Sequence, residues 1–374
     1  MAVVSNRRWL VGIAGGVALT MTASTMPTAI AAMSAEERPE TQAQLDRYQS
    51  IAGPGAAVYA GNSETAWTLS AGSASTRERR PITSTDHFPI ASQTKTFTAA
   101  VVLQLADEDL IALDTPIERY LPGVVTGNYD GTVITVRQLL QHTSGMVENV
   151  SDAKPRPDGG YELAELVRSA MDEPAQAAPG EDVKYSNVAY LVLGMLIEEK
   201  TGKTVGEAIT ERIIEPLGLD GTSFPAHGER ALAEPFVPGY LGGRLPPFFF
   251  WRDNTTAVEL SMWSTAGALR STLHDSATFF RALLDGEVIS AGALAEMRTF
   301  IPAGQGGAGL GIDEIPLSCG GTALTKNGNL NTGHTSMTAV TDDGRFASVV
   351  TNTLANTPQQ GTQLLAVLDS ALCE

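Results

Sequence analysis

The sequence predicts an α/β domain that contains a mainly helical insertion. Strand-like apolar segments occur near both ends of the chain, whereas helical patterns dominate residues 110–230 between them. A chain of 374 residues, 43% of them hydrophobic, is long enough for one large domain or two interleaved ones. We therefore predict that residues 33–110 and 255–374 form the α/β domain and that residues 111–254 form the insertion.

Turn and capping residues divide the chain into its elements. Two hairpins are predicted, over residues 56–70 around Gly61-Asn62 and over residues 337–352 around Asp342-Asp343-Gly344. The helices are predicted from capping residues, glycine and proline. In chain order they cover residues 33–49, 94–105, 116–120, 134–140, 161–171, 187–200, 205–214 and 359–372. The aromatic run over residues 246–251 has two interpretations, as a substrate wall or as a loop packed onto the core.

The first 31 residues have the pattern of a secretory signal peptide. Arg7 and Arg8 precede an apolar run over residues 10–18, and Ala29-Ile30-Ala31 is a suitable cleavage site. An uncleaved anchor is the alternative, but the apolar run is short and is followed by threonine and proline residues. We therefore predict a secreted, extracellular protein without a stable membrane span.

The acidic composition limits the kinds of partner that the chain can bind. The formal net charge is -17 at pH 7, which repels nucleic acid and anionic lipid surfaces. Solubility outside the cell is a sufficient reason for this acidity. We therefore predict that the protein has no nucleic-acid partner.

The chain has two cysteines, Cys319 and Cys373. In a secreted protein an even pair of cysteines predicts a disulfide, which here would tie the last helix to the preceding strands. No histidine lies at metal-ligand spacing from either cysteine, so we predict no metal site.

Ser92 and Lys95 are the first candidate catalytic residues. Ser92 is a favoured N-cap residue for the helix predicted from Thr94, and Lys95 lies on the same helical face. A serine nucleophile needs a neighbouring base, and a buried lysine can lose its charge and serve as that base. The helix N-terminus also offers N–H groups to an oxyanion. The alternative is an ordinary capped core helix. A second Ser-x-x-Lys, from Ser151 to Lys154, lies in a Pro/Gly-rich segment that we interpret as a solvated loop.

Two further motifs supply the other groups that such chemistry needs. Tyr185-Ser186-Asn187 provides a second acid or base and an amide, with an ordinary helix start as the alternative. As the cation, Lys326-Asn327-Gly328 is preferred to Lys200-Thr201-Gly202, because the latter ends a predicted helix. Gly328 would let a substrate backbone approach the strand closely. His142 is interpreted as a structural residue of a turn, with a catalytic base as the alternative.

Taken in order, Ser92-Gln93-Thr94-Lys95, Tyr185-Ser186-Asn187 and Lys326-Asn327-Gly328 resemble the motifs of the penicillin-recognising serine hydrolases. The Tyr-x-Asn form is similar to class C β-lactamases and secreted D-alanyl-D-alanine carboxypeptidases. The resemblance covers residues 40–374. It implies the fold of β-lactamases and DD-peptidases, an antiparallel sheet flanked by helices with an all-helical insertion.

The resemblance also implies the roles of the site residues. Ser92 would attack a carbonyl group while Lys95 takes its proton, and Tyr185 would pass that proton to the leaving group. The oxyanion would lie between the N–H groups of Ser92 and Asn329. The implied catalytic residues are Ser92, Lys95, Tyr185, Asn187 for the substrate amide and Lys326 for positive charge, and the implied substrate-binding residues are Trp263, Gly328 and Asn329. No cofactor is implied.

The resemblance implies a D-Ala-D-Ala carboxypeptidase that acts on the peptidoglycan stem peptide or another small acyl substrate. It also implies β-lactam antibiotics as ligands, and we expect a monomer. Asp313 and Glu314 depart from the family, because relatives place arginines there and one of them binds the free carboxylate of the substrate. The alternative is that another cation, such as Arg244 or Arg252, replaces these arginines and preserves carboxypeptidase activity. The alternatives are an esterase or β-lactamase of the same fold, or a penicillin-binding sensor that is acylated and then stalls.

Overall fold

An eight-stranded antiparallel sheet is the largest element of the structure, a computed structural model that describes residues 37–245 and 248–374. The strands in chain order are β1 (Gly55–Gly61), β2 (Ala66–Gly72), β3 (Phe88–Pro89), β4 (Tyr240–Leu245), β5 (Phe248–Asp253), β6 (Arg270–Ser271), β7 (Ile301–Ala303), β8 (Gly306–Ala308), β9 (Asp313–Pro316), β10 (Thr322–Leu330), β11 (His334–Val340) and β12 (Phe346–Thr351). In the large sheet they follow the order β2-β1-β12-β11-β10-β9-β8-β7.

Helices cover both faces of this sheet. In chain order they are α1 (Pro39–Ile51), α2 (Thr94–Asp107), α3 (Val136–Leu140), α4 (Leu163–Ala170), α5 (Asn187–Thr201), α6 (Val205–Ile209), α7 (Ser264–Gly267), α8 (Leu273–Leu284), α9 (Ala291–Met297) and α10 (Pro358–Cys373). Helices α1 and α10 pack on one face and α8 on the other. Every residue of β11 and β12 is therefore buried, because these strands have a helical layer on each side.

The sheet confirms the predicted fold class. Strand β1 lies between β2 and β12, with Val58 opposite Val349, so the sheet joins segments from the two ends of the described chain. Both predicted hairpins are present as β1–β2 and β11–β12. The proposed division at residues 111 and 254 stays a prediction, and the stretch between them contains α3 to α6 together with the β4–β5 hairpin.

Local sequence signals explain most of the helix boundaries. The predicted helix over residues 187–200 is α5, whose N-cap is Ser186 and whose end is Gly202 in a left-handed conformation with φ 67°. The helix predicted over residues 205–214 is α-helical only to Ile209 and continues as one π-helical stretch. The boundaries of α5 thus agree with its capping signals, whereas the helix predicted over residues 205–214 changes its helix type.

The aromatic run near residue 250 forms part of the β4–β5 hairpin. Phe249 and Phe250 are 65% and 69% exposed, so the interpretation of the run as packed onto the core does not hold for these two residues. Neither residue lines the cavity described below. Pro246 and Pro247 lie outside the described residues.

The disulfide between Cys319 and Cys373 is present, as predicted. It joins the turn between β9 and β10 to the end of α10. The predicted signal peptide over residues 1–31 lies outside the described part of the chain. Among residues 37–245 and 248–374, no helix is long and apolar enough to cross a bilayer.

Candidate active site

Ser92 lies in a short 3-10 turn, Ala91–Gln93, that connects β3 to α2. The expectation that Ser92 caps α2 is wrong, because no side chain caps this helix and the Ser92 hydroxyl faces the groups described below. Ala91 has φ 50°, a strained value for a residue with a side chain. The turn thus directs the Ser92 hydroxyl away from its own helix.

The turn is held against strand β10 at Gly328. A Cβ atom on Gly328 would lie 2.1 Å from the carbonyl oxygen of Ile90, so only glycine allows this approach. The close neighbour of Gly328 is therefore the protein's own chain. A substrate contact at this glycine stays a prediction.

Lys95 is fully buried on the first turn of α2. Its Nζ atom lies 3.2 Å from Ser92 Oγ and donates hydrogen bonds to Asn187 Oδ1 at 2.6 Å and to the carbonyl oxygen of Ala266 at 2.7 Å. Two of its three neighbours are uncharged acceptors, and the third is the hydroxyl of the candidate nucleophile. This geometry suits a neutral amine, with two N–H bonds and one lone pair.

Burial lowers the pKa of Lys95 well below its usual value, and the nearby positive charge of Lys326 lowers it further. The carboxylates of Asp313 and Glu148 act in the opposite direction and are the smaller effects. The lowered pKa favours the neutral amine, which is the form that a general base needs.

Tyr185 approaches Ser92 from the other side. Its hydroxyl donates to Ser92 Oγ at 2.6 Å, and its ring lies 4.8 Å from Lys95 Nζ and 5.9 Å from Lys326 Nζ. Burial of the hydroxyl raises the pKa of Tyr185, so the phenol remains protonated at neutral pH. Ser92 Oγ thus lies between an acid and a base.

Lys326 on β10 is only 3% exposed, and it forms an ion pair with Asp313 on β9, at 2.9 Å between Nζ and Oδ2. The carboxylate of Glu314 instead accepts a hydrogen bond from Thr322 at 3.0 Å. Of the two predicted departures, only Asp313 thus bears on the cation. Arg252 donates to Asn254 at 3.2 Å, and the side chain of Arg244 lies outside the described residues.

His142 contacts the loop that contains Tyr185. Its Nδ1 accepts a hydrogen bond from the Ser186 N–H at 3.1 Å, and its carbonyl oxygen accepts one from the Lys184 N–H at 2.7 Å. The imidazole ring packs 4.5 Å from the Tyr185 ring. Burial lowers the pKa of His142 well below its usual value, so the ring is neutral. These contacts are those of a structural residue of the turn.

An open cavity of about 490 Å³ lies above Ser92. Its lining includes the predicted residues Ser92, Tyr185, Asn187, Trp263 and Asn329. Lys95 lies beneath this lining. The Nε1 atom of Trp263 is buried and has no hydrogen-bond partner within the described residues.

The cavity also contains residues that sequence reasoning missed, namely Glu148, Asn149 and Asn331. The carbonyl oxygen of Ala266, which binds Lys95, was missed as well. Glu148 and Asn149 lie on an exposed loop without periodicity, and a backbone carbonyl has no signal in a sequence. The one sequence signal for this loop was that Glu148 follows shortly after the turn segment Gln141 to Gly145.

The two rejected motifs lie away from the cavity. Ser151 is exposed on a loop and is hydrogen-bonded to Glu173. Lys200 is in the last turn of α5, where its Nζ lies 4.9 Å from the ring of Tyr120. The neighbouring residues in the sequence were therefore sufficient to reject both motifs.

Comparison with known families agrees with this geometry. The family described as Beta-lactamase matches residues 36–372 of the chain. The protein belongs to the beta-lactamase family. Together with the acid and base around Ser92, membership supports a serine hydrolase of the β-lactamase and penicillin-binding-protein fold.

Two solved structures are similar to this member of the beta-lactamase family. A D-stereospecific amidohydrolase from Streptomyces sp. is 36% identical, with a TM-score of 0.76 over 84% of this chain and 94% of the other. A D-amino acid amidase from Ochrobactrum anthropi SV3 is 24% identical, with a TM-score of 0.76 over 90% of this chain and 98% of the other. The second likeness shows the fold alone.

A curated relative, protein flp of Staphylococcus aureus (strain MRSA252), is 29% identical over 191 residues. The match covers 50% of this chain and 36% of the relative, so the chain corresponds to about a third of that protein.

Proposed function

We propose that the protein is a serine amidohydrolase that forms an acyl-enzyme on Ser92. The observation that carries this proposal is the pair of contacts to Ser92 Oγ, from Lys95 Nζ at 3.2 Å and from the Tyr185 hydroxyl at 2.6 Å. A neutral Lys95 satisfies both N–H bonds on Asn187 and Ala266, and its lone pair then faces Ser92. This arrangement is that of a nucleophile with its base.

The residues around Ser92 provide each proton transfer of the reaction. Lys95 takes the Ser92 proton as Oγ forms a bond to the substrate carbonyl carbon, and the oxyanion is held by the N–H groups predicted at Ser92 and Asn329. Tyr185 gives its proton to the leaving nitrogen as the C–N bond breaks, and it recovers a proton from Lys95. A water molecule then attacks the ester, the same groups remove its proton, and Ser92 is regenerated.

We propose that the preferred substrates are D-amino acid amides without a free carboxylate on the leaving side. Asp313 forms an ion pair with Lys326, and Glu148 places a carboxylate in the cavity lining. A free carboxylate would meet repulsion there, whereas an amide would not, and Glu148 could attract an amino group. The 36% identity to a D-stereospecific amidohydrolase supports the choice of D configuration.

A D-Ala-D-Ala carboxypeptidase is the second candidate, as predicted from the sequence. It is favoured by the buried position of Lys326, beside the ring of Tyr185. The Asp313 side chain is 35% exposed, and its rotation toward water would free Lys326 for a terminal carboxylate. Binding of β-lactam antibiotics is expected for either candidate.

A comparison of matched substrates tests the proposal. Purified protein is incubated with a D-amino acid amide and its L isomer, with acyl-D-Ala-D-Ala and its C-terminal amide, and with a short-chain ester. We expect release of ammonia from the D-amide and better turnover of the blocked dipeptide than of the free acid, with no turnover by Ser92→Ala. Faster turnover of the free acid would establish the carboxypeptidase instead, and equal activity of Ser92→Ala would refute an acyl-enzyme on Ser92.

We further propose that the protein is secreted as a monomer after cleavage near Ala31. The disulfide supports this location, because such bonds persist in oxidising compartments. Intact mass of protein from the culture medium tests the cleavage, and light scattering tests the oligomeric state. A full-length mass confined to the cell fraction would contradict secretion.

A further inference from the structure

A chain of hydrogen bonds runs from Lys95 to the surface of the cavity. Lys95 Nζ donates to Asn187 Oδ1 at 2.6 Å, and Asn187 Nδ2 donates to Asn149 Oδ1 at 2.7 Å. Asn149 Nδ2 in turn donates to the carboxylate of Glu148 at 3.2 Å. The chain thus begins at a buried base and ends at an exposed carboxylate that lines the cavity.

The carboxylate at the end of this chain sets the direction of every bond in it. An ionised Glu148 can only accept, so it selects the Nδ2 atom of Asn149 and turns the Oδ1 atom toward Asn187. That oxygen can also only accept, so it selects the Nδ2 atom of Asn187. The Oδ1 atom of Asn187 is then left for Lys95.

The orientation of the Asn187 amide decides where the Lys95 lone pair points. In the observed orientation Asn187 accepts an N–H bond from Lys95, as does Ala266, and the lone pair is directed at Ser92. In the flipped orientation Asn187 Nδ2 would donate to Nζ and occupy the lone pair. Lys95 would then present an N–H bond to Ser92 and could not take its proton.

We propose that Asn149 is a positioning residue that, together with Glu148, fixes the amide orientation of Asn187 and keeps the Lys95 lone pair on Ser92. This inference rests on the proposed function. The loop has a second attachment to the same helix start, since the Asn187 N–H donates to the Glu148 carbonyl oxygen at 2.8 Å. The loop is therefore held at the distance that the side-chain contacts require.

The charged and titratable groups around Lys95 determine how a change at Asn149 alters the pH dependence. They are Lys326, Asp313, Glu148, Tyr185, Tyr190 and His142. A new negative charge at position 149 would add to the effect of Glu148 and Asp313, which raise the pKa of Lys95. The acid limb of the rate profile would then move to higher pH, because the base must be neutral to act.

Three variants test this proposal through the rate of acylation by a fluorescent penicillin, measured in single turnover from pH 5 to 9. Asn149→Leu keeps the size of the side chain but removes the acceptor, and we expect acylation to slow by about ten- to a hundred-fold. Asn149→Asp keeps an acceptor-only group toward Asn187, so it should recover most of that loss and shift the acid limb upward. Asn356→Leu, at an exposed asparagine outside the cavity lining, is the matched control and should behave as wild type.

The outcomes separate the possible errors. If Ser92 of the wild-type protein is not labelled, the proposed function is refuted. If Ser92 is labelled and Asn149→Leu is acylated as fast as wild type, only the role of Asn149 is refuted. The role of Asn149 would also be refuted if Asn149→Leu and Asn149→Asp lost the same amount of acylation rate. It would be refuted as well if Asn149→Leu lowered only the affinity for penicillin and left the maximal acylation rate unchanged. Thermal melting of each variant shows whether any loss follows from unfolding.

Discussion

Lys95 and Lys326 are both almost completely buried near Ser92, yet their surroundings differ in one respect. Lys95 contacts two uncharged acceptors and the serine hydroxyl, whereas Lys326 contacts the carboxylate of Asp313. Burial without a counter-ion lowers the pKa of Lys95, whereas Lys326 forms an ion pair with a carboxylate at 2.9 Å. In the proposed mechanism the two lysines therefore have different roles, with Lys95 as the base and Lys326 as the cation that lowers the pKa of Lys95.

The largest expected effect is loss of the base. Lys95→Arg introduces a permanent positive charge that cannot deprotonate, so acylation of Ser92 should slow by about 10²- to 10⁴-fold. Lys326→Arg keeps the charge at a position where only charge is needed and should be milder. Stopped-flow acylation of both variants measures the difference. The reverse order of losses would mean that the two roles are exchanged.

Removal of the cation should have the next largest effect. Lys326→Ala should reduce kcat/KM by about 100-fold, near 3 kcal/mol, which is typical of one lost electrostatic contact in the transition state. Lys200→Ala removes a lysine from the end of α5 and should leave kcat/KM unchanged. Steady-state kinetics on the best substrate compares them. An unchanged kcat/KM in Lys326→Ala, together with a reduced kcat/KM in Lys200→Ala, would show that Lys326 is not the cation.

Asp313→Asn removes the carboxylate that distinguishes the surroundings of Lys326 from those of Lys95. Asp313 raises the pKa of Lys95, so its removal should lower that pKa and move the acid limb of kcat/KM to lower pH. The freed Lys326 should also improve turnover of acyl-D-Ala-D-Ala relative to its amide, by about ten-fold. The pH profiles of wild type and variant on both substrates give the two readouts. An unchanged substrate preference would show that Asp313 has no bearing on specificity.

The smallest effect on activity is expected from the disulfide, which lies at the β9–β10 turn and the end of α10. Replacing both Cys319 and Cys373 by serine should leave kcat/KM near the wild-type value. It should lower the free energy of unfolding by roughly 2–5 kcal/mol. Urea unfolding measures this change, and a free-thiol assay on unreduced wild type should detect no thiol.

The sequence allowed prediction of those features that depend on local signals. Ser186 and Gly202 define α5, and the motifs around Ser92, Tyr185 and Lys326 were brought together as expected. Contacts between distant segments were not predictable in this way. The ion pair of Lys326 with Asp313 depends on the register of β9 and β10, and the contact of Lys95 with the Ala266 carbonyl oxygen depends on how α2 packs on α7. The N-cap prediction for Ser92 failed because its hydroxyl contacts Tyr185 and Lys95 and does not cap the start of α2.

The pairing of β1 with β12 also has a consequence for the order of synthesis. These strands are adjacent in the sheet, but residues 62–345 separate them in the chain. One edge of β1 therefore stays unpaired until β12 has left the ribosome. During that interval the β1–β2 hairpin presents open N–H and C=O groups to other nascent chains. Truncation before Phe346 should therefore yield insoluble chains rather than a smaller folded enzyme, whatever the state of the residues around Ser92.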